Sequence, residues 1–155
     1  KITVEKEKEE VKQRFQNVAA HQENELFRVK TVFPFDFFPD TLVIDTTKLT
    51  ISNKQFFATE FVTTIPLKDI SDVTVQTAFF MASLVIKYMP QASSPGMNQA
   101  VDVKIASLWR EDAIRAKNIL KGVMVAKAED IDISKLSPKE VATVIEQFGH
   151  SEGVL

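Results

Sequence analysis

Residues 41–52 read TLVIDTTKLTIS, and apolar and polar side chains alternate on both sides of a short polar break. Leu42 and Ile44 precede the break, and Leu49 and Ile51 follow it. Successive side chains of a β-strand point to opposite faces, so this period of two predicts two strands, each with one buried and one wet face. The break at residues 46–48 is short enough for an antiparallel hairpin.

The same period begins at Leu26 and continues to residue 106. It predicts seven strands, at residues 26–33, 41–46, 48–57, 60–66, 70–77, 82–89 and 100–106. Short links between them favour an antiparallel meander. The predicted fold class is therefore mainly β (α+β): a seven-stranded antiparallel barrel or two-sheet sandwich, capped by a C-terminal helix and flanked by further N- and C-terminal helices.

The capping helix is predicted to begin after Ser107, a residue type that commonly caps helix N-termini. Trp109 and four later apolar residues recur at helical spacing, which gives the helix one apolar face to close the core. We expect Trp109 to be buried as the anchor of that face. The later residues are Ala113, Ala116, Leu120 and Val123.

Two flanking segments complete the predicted organisation. Residues 1–24 favour an amphipathic helix with a thin apolar stripe, which either docks on the β domain or forms a stalk or coiled coil. Residues 128–155 are predicted to contain a last helix that begins at Ser137. Proline follows at the first helical position and Glu140 stands at the third, which is the pattern of a capping box. Gly149 is expected to end it.

Composition excludes several classes of function. The net charge of −2 and pI near 5.7 give no electrostatic case for nucleic-acid binding. The absence of cysteine excludes disulfides and thiolate sites. No apolar run is long enough to span a bilayer. The expected localisation is cytoplasmic or membrane-associated, with room for an anchor upstream of Lys1.

Catalytic and cofactor motifs are weak. The two histidines, His21 and His150, have no context of a base or ligand, and the four glycines form no phosphate cradle. We therefore expect no cofactor and no metal. Acid–base catalysis would need several aspartate side chains to meet in space. Four aspartates are candidates, but aspartates beside prolines and strand ends mostly form turns. They are Asp36, Asp40, Asp69 and Asp72.

The unusual segment is FPFDFFPD at residues 33–40, which places four phenylalanines between two strands, where loops are normally polar. Either the rings plug one end of the core, or some stay exposed as a contact patch. Adjacent phenylalanines at 56–57 and 79–80 pose the same question, since neighbours in a strand point to opposite faces. The candidate interaction surface is Phe35, Phe37, Phe38, Phe57 and Phe80.

Residues 65–70, Ile-Pro-Leu-Lys-Asp-Ile, resemble the step between the fourth and fifth strands of bacterial pleckstrin-homology-like (PH-like) domains. The hairpin at residues 42–51 and the strand at 82–86 are similar to those of the same group. The resemblance covers residues 25–127 and implies a binding or assembly module, homo-oligomers included. The loop at residues 34–40 lacks the cations with which phosphoinositide-binding members grip a headgroup, so specific inositide binding is not expected.

Three functions follow as hypotheses. The first is a non-enzymatic PH-like module that binds a protein or itself through its external phenylalanines. The second is a peripheral membrane module that inserts Phe35, Phe37 and Phe38 into a bilayer interface. The third, least favoured, is a carboxylate-based enzyme.

Overall fold

The computed structural model describes residues 25–32, 34–55, 59–91 and 99–151. The helix predicted within residues 1–24 and the candidate residue Phe57 lie outside these ranges. The described elements are β1 Glu25–Lys30, β2 Thr41–Asp45, β3 Lys48–Lys54, β4 Glu60–Pro66, β5 Ile70–Ala78, β6 Met81–Tyr88, β7 Val101–Trp109, α1 Arg110–Ala128 and α2 Pro138–Ser151.

The strands form two antiparallel sheets. The first has the order β1-β2-β3-β4 and the second has the order β5-β6-β7. This confirms the mainly β fold, the antiparallel pairing and the helix that follows the last strand. The closed-barrel alternative is wrong: a 3-10 helix at Leu67–Asp69 separates β4 from β5, and these two strands end separate sheets.

The two sheets approach each other next to β1 and β7. The backbone N–H of Val32 donates to the carbonyl oxygen of Ser107 at 2.8 Å, just beyond the end of β1. At the opposite end of the first sheet, the N–H of Leu67 donates to the carbonyl of Thr47 at 2.9 Å. The first bond joins the two sheets directly, and the second holds the connecting 3-10 helix against the first sheet. Among the described residues, no strand of one sheet pairs with a strand of the other.

The core between the sheets follows the period of two. Leu42, Ile44, Leu49 and Ile51 are each at most 1% exposed, while the residues between them are partly exposed. Leu84 and Ile86 of β6 supply the facing layer. None of the buried core residues of the described chain is aromatic. In the described residues the fully buried positions hold aliphatic side chains, and the aromatic side chains that contact this core, Phe27 and Tyr88, are only partly buried.

The start of the capping helix differs from the prediction. Ser107 does not cap α1; it lies in β7 at a φ of 58°, within a bulge opposite Ser83. The extra residue changes which positions point inward, since Ile105 and Leu108 are both buried. Trp109 consequently points outward and is 47% exposed, so the prediction of a buried anchor is wrong.

The rest of α1 lies as predicted. Its apolar face packs on β5, β6 and β7. The buried residues of that face include Ala113, Ala116, Leu120 and Val123. The helix therefore covers the open side of the second sheet.

Helix α2 begins with the predicted capping box. Glu140 accepts from the Ser137 backbone N–H at 2.8 Å and from its hydroxyl at 2.7 Å, and these bonds lower the pKa of Glu140. The helix continues through Gly149, so the predicted stop there is wrong; a helical glycine costs only about 1 kcal/mol. α2 packs against α1 at Gly122, where a Cβ would lie 3.1 Å from the Cα of Ile145.

Truncating a side chain on the buried face of β6 should lower the free energy of unfolding more than truncating one on its outer face. Ile86→Ala removes a fully buried side chain and should lower the free energy of unfolding by about 2–5 kcal/mol. The control, Val85→Ala, lies on the partly exposed outer face and should cost less than about 1.5 kcal/mol. Urea denaturation measures both. Equal losses would contradict the assignment of faces.

Candidate interaction surface

One end of the sandwich is formed by three connections. β1 ends and β2 begins there, so the loop at residues 34–40 lies at this end. The turn between β5 and β6, at Phe79 and Phe80, lies beside the β7–α1 junction because Met81 pairs with Trp109. The N–H of Arg110 also donates to the carbonyl of Phe80 at 3.1 Å. The topology thus brings three aromatic segments together.

Four rings of these segments form a continuous exposed group centred on Phe80, and the exposed rings of Phe37 and Phe38 belong to the same loop as Phe35. The ring centroid of Phe80 lies 6.0 Å from that of Phe35, 5.8 Å from Phe79 and 6.1 Å from Trp109. These are separations at which aromatic pairs attract. We define the aromatic surface as the exposed aromatic side chains of the three segments. They are Phe35, Phe37, Phe38, Phe79, Phe80 and Trp109.

Every member of the aromatic surface is at least 42% exposed. Phe37 reaches 74% and Phe79 reaches 92%. The interpretation that the loop rings plug the core is therefore wrong for Phe35, Phe37 and Phe38. Full burial of one such ring would stabilise the folded state by about 1.5–3 kcal/mol. The chain lacks much of this stabilisation at each exposed ring.

Hydrogen bonds hold the aromatic loop in place. Thr31, a buried residue, donates its hydroxyl to Asp36 at 2.6 Å and accepts the backbone N–H of Asp40 at 2.7 Å. Asp36 also accepts the N–H of Phe38 at 3.0 Å. Asp40 accepts from the amide of Asn53 in β3 at 2.7 Å. The loop is anchored by its polar residues, and its rings project from the anchored backbone.

Phe79 has an unfavourable backbone conformation. Its φ of 51° lies in the left-handed region, which is uncommon for a bulky residue and is usually occupied by glycine or asparagine. Such strain persists only where surrounding structure imposes it, and it concentrates at functional positions. Here the tip of a hairpin combines this strain with the most exposed phenylalanine of the described chain.

The sequence prediction of this surface is incomplete. It named Phe80 on the expectation that residues 79 and 80 are strand neighbours with one ring outward, whereas they form the turn and both rings are exposed. It missed Phe79 and Trp109. The sequence did contain a signal for Phe79. Residues 79 and 80 fall between the predicted strands at 70–77 and 82–89, and a short gap of this kind indicates a turn. The bulge that exposes Trp109 has no comparable signal.

The four aspartates divide between the two ends of the sandwich. Asp36 and Asp40 lie together in the aromatic loop, while Asp69 ends the 3-10 helix beyond the other end of β4 and Asp72 follows it in β5. Burial raises the pKa of Asp40, the hydrogen bond from Asn53 lowers it, and the charge of Asp36 raises it further. The hydrogen bonds of Asp36 and Asp40 assign them a role in holding the loop.

Among the described residues, no group of three or more histidine, cysteine or carboxylate side chains could hold a metal ion. Neither described helix combines the length and apolar composition needed to cross a bilayer.

Comparisons with known proteins add no relatives. No family model matches the chain, and neither the curated proteins nor the solved structures contain a significant match.

The environment of Asp40 predicts a pH-dependent stability. Its raised folded-state pKa means that it contributes stability that is fully present below its ordinary value of 3.8 and is lost as pH rises through the folded value. Asp40→Asn removes this titration. The unfolding free energy of the variant should therefore rise relative to wild type between about pH 3 and pH 7 in urea titrations. A relative fall would show that the bond from Asn53 outweighs burial.

Proposed function

We propose that this chain is a non-enzymatic binding module whose aromatic surface docks into an apolar site on a protein partner. The observation that carries the proposal is the group of touching, exposed rings at one end of a core that is complete without them. Aromatic residues are the side chains that most often dominate protein interfaces. Exposed apolar groups of this kind on a soluble domain mark interaction sites.

A PH-like architecture is part of the proposal. It is supported by the order of the elements: four strands, a short step at residues 65–70, three strands and a closing helix. In that step Ile65, Leu67 and Ile70 are buried, as a corner that joins two sheets packed on one core would require. The PH-like reading implies a binding role and no catalysis.

The charges near the aromatic surface favour a protein over a membrane. Asp36 and Asp40 lie within the loop. In the first turn of α1, Arg110 is followed by two carboxylates, Glu111 and Asp112, so carboxylates outnumber the cation among these residues. Anionic lipid headgroups attract clusters of lysine and arginine and repel carboxylates. A partner with an apolar pocket and a basic rim would fit this surface better than an anionic bilayer.

Phe79 provides a variant that separates binding from folding. Phe79→Gly removes the ring and also relieves the positive φ, while glycine adds entropy to the unfolded chain. These effects oppose each other, so the unfolding free energy should change by no more than about 1 kcal/mol. Loss of an interface anchor weakens binding by about 2 kcal/mol or more, which is more than tenfold in Kd.

The experiment compares wild type, Phe79→Gly and a control, Met89→Ser, as affinity baits in an extract of the source cells. Met89 is also exposed but lies at the opposite end of β6. A protein retained by wild type and control should be purified and titrated against all three chains. We expect its Kd to rise more than tenfold for Phe79→Gly alone.

A parallel sedimentation assay uses vesicles of phosphatidylcholine with and without phosphatidylserine. Binding to vesicles that is lost in Phe79→Gly would assign the aromatic surface to a bilayer and contradict the proposal. A captured protein that binds Phe79→Gly as tightly as wild type would also contradict it.

A further inference from the structure

The two sheets have four edge strands, and three of them carry features that block further pairing. β1, β5 and β7 each contain a bulge, with the extra residue on the edge strand itself. β1 also presents Arg28 and Lys30, and β7 presents Asp102 and Lys104. Helix α1 packs against β5. Bulges, charges and covering helices are the usual protections of a sheet edge.

Among the described residues, the fourth edge, β4, has no bulge and no helix packed along it, and its one charged residue stands at its first position. It pairs with β3 in an unbroken register from Lys54 opposite Glu60 to Lys48 opposite Pro66. Glu60 and Pro66 stand at its two ends, and the residues between them, Phe-Val-Thr-Thr-Ile, are uncharged and favour strands. Among the described residues, the backbone of β4 hydrogen-bonds to β3 alone.

The start of β4 is exposed on both faces. Phe61 is 54% exposed and Val62 is 58% exposed, although neighbours in a strand point to opposite faces. A strand added alongside would therefore gain backbone hydrogen bonds and cover apolar side chains above and below the sheet. Edge-to-edge addition of this kind is a common mode of recognition.

We infer that β4 is a self-association edge, which pairs antiparallel with β4 of a second copy of this chain. The two four-stranded sheets would become one continuous sheet of eight strands about a two-fold axis near Val62 and Thr63. Such a contact is self-complementary, as two-fold interfaces must be. This inference does not rest on the aromatic surface, which uses other residues.

The sequence of β4 suits pairing with itself. An antiparallel register centred on Val62 places Glu60 opposite Thr64 and Phe61 opposite Thr63 of the other copy. A register centred on Thr63 places Glu60 opposite Pro66. In both, the two glutamates lie at opposite ends, so like charges do not face each other across the strands. Aromatic and β-branched residues face each other or threonine, which are favourable pairs.

The absence of cysteine from the chain makes cross-linking a direct test. Four single-cysteine variants are oxidised, and their monomers and cross-linked dimers are separated by electrophoresis without reductant. The variants are Phe61→Cys, Val62→Cys, Thr63→Cys and Thr64→Cys. In a symmetric antiparallel pair, only the position at the axis brings two Cα atoms within the roughly 4.4–6.8 Å that a disulfide needs. We expect one position to cross-link strongly and its neighbours weakly, with Lys104→Cys on β7 as the control.

Light scattering on wild type and two matched variants completes the test. Wild type should have the mass of two copies at high concentration, Val62→Lys the mass of one, and Val101→Lys on the edge of β7 the mass of two. Phe79→Gly should remain a dimer, which separates failure of this inference from failure of the proposed function. A wild-type monomer, a dimer that survives Val62→Lys, or cross-linking no stronger than the Lys104→Cys control would overturn the inference.

Discussion

The buried aliphatic layer between the two sheets is the constraint on which the rest of the molecule depends. Leucine, isoleucine and valine from alternate strand positions fill it, and α1 closes its open side with alanine, leucine and valine. No ring occupies a fully buried position of this layer in the described chain, and Phe27 and Tyr88 contact it while partly exposed. Six of the eight described phenylalanines, at 35, 37, 38, 61, 79 and 80, are exposed. The exposure of the aromatic surface thus follows from how the core is packed.

Backbone irregularities then decide where the exposed groups point. One extra residue in β7 turns Leu108 inward and Trp109 outward. A left-handed residue at the β5–β6 turn places Phe79 at the tip. The hydrogen bonds of Thr31 and Asp36 fix the third aromatic segment beside them. The bulge of β7 thus shapes the aromatic end, and bulges interrupt the edge strands β1, β5 and β7, whereas the register of β4 with β3 is unbroken.

Sequence alone predicts the strands and much of α1, because a period of two over several residues and an apolar helical face leave few alternatives. The capping box at Ser137 is equally local and is confirmed. Trp109 was misplaced because a bulge depends on pairing with β6, which no local pattern records. The exposure of the loop rings was left open for the same reason: whether a ring is buried depends on the volume already filled by residues distant in sequence. The barrel alternative failed at Leu67–Asp69, where a short helix replaces a strand continuation.

Trp109 is the only tryptophan of the chain and lies in the aromatic surface, so its fluorescence reports whether the aromatic side chains lie outside the aliphatic core. We expect a red-shifted emission in the native protein and efficient quenching by acrylamide, with a quenching constant that is a substantial fraction of that in denaturant. A blue-shifted emission that acrylamide leaves unquenched would place this side chain in the interior. That result would contradict an aliphatic core with its aromatic residues outside.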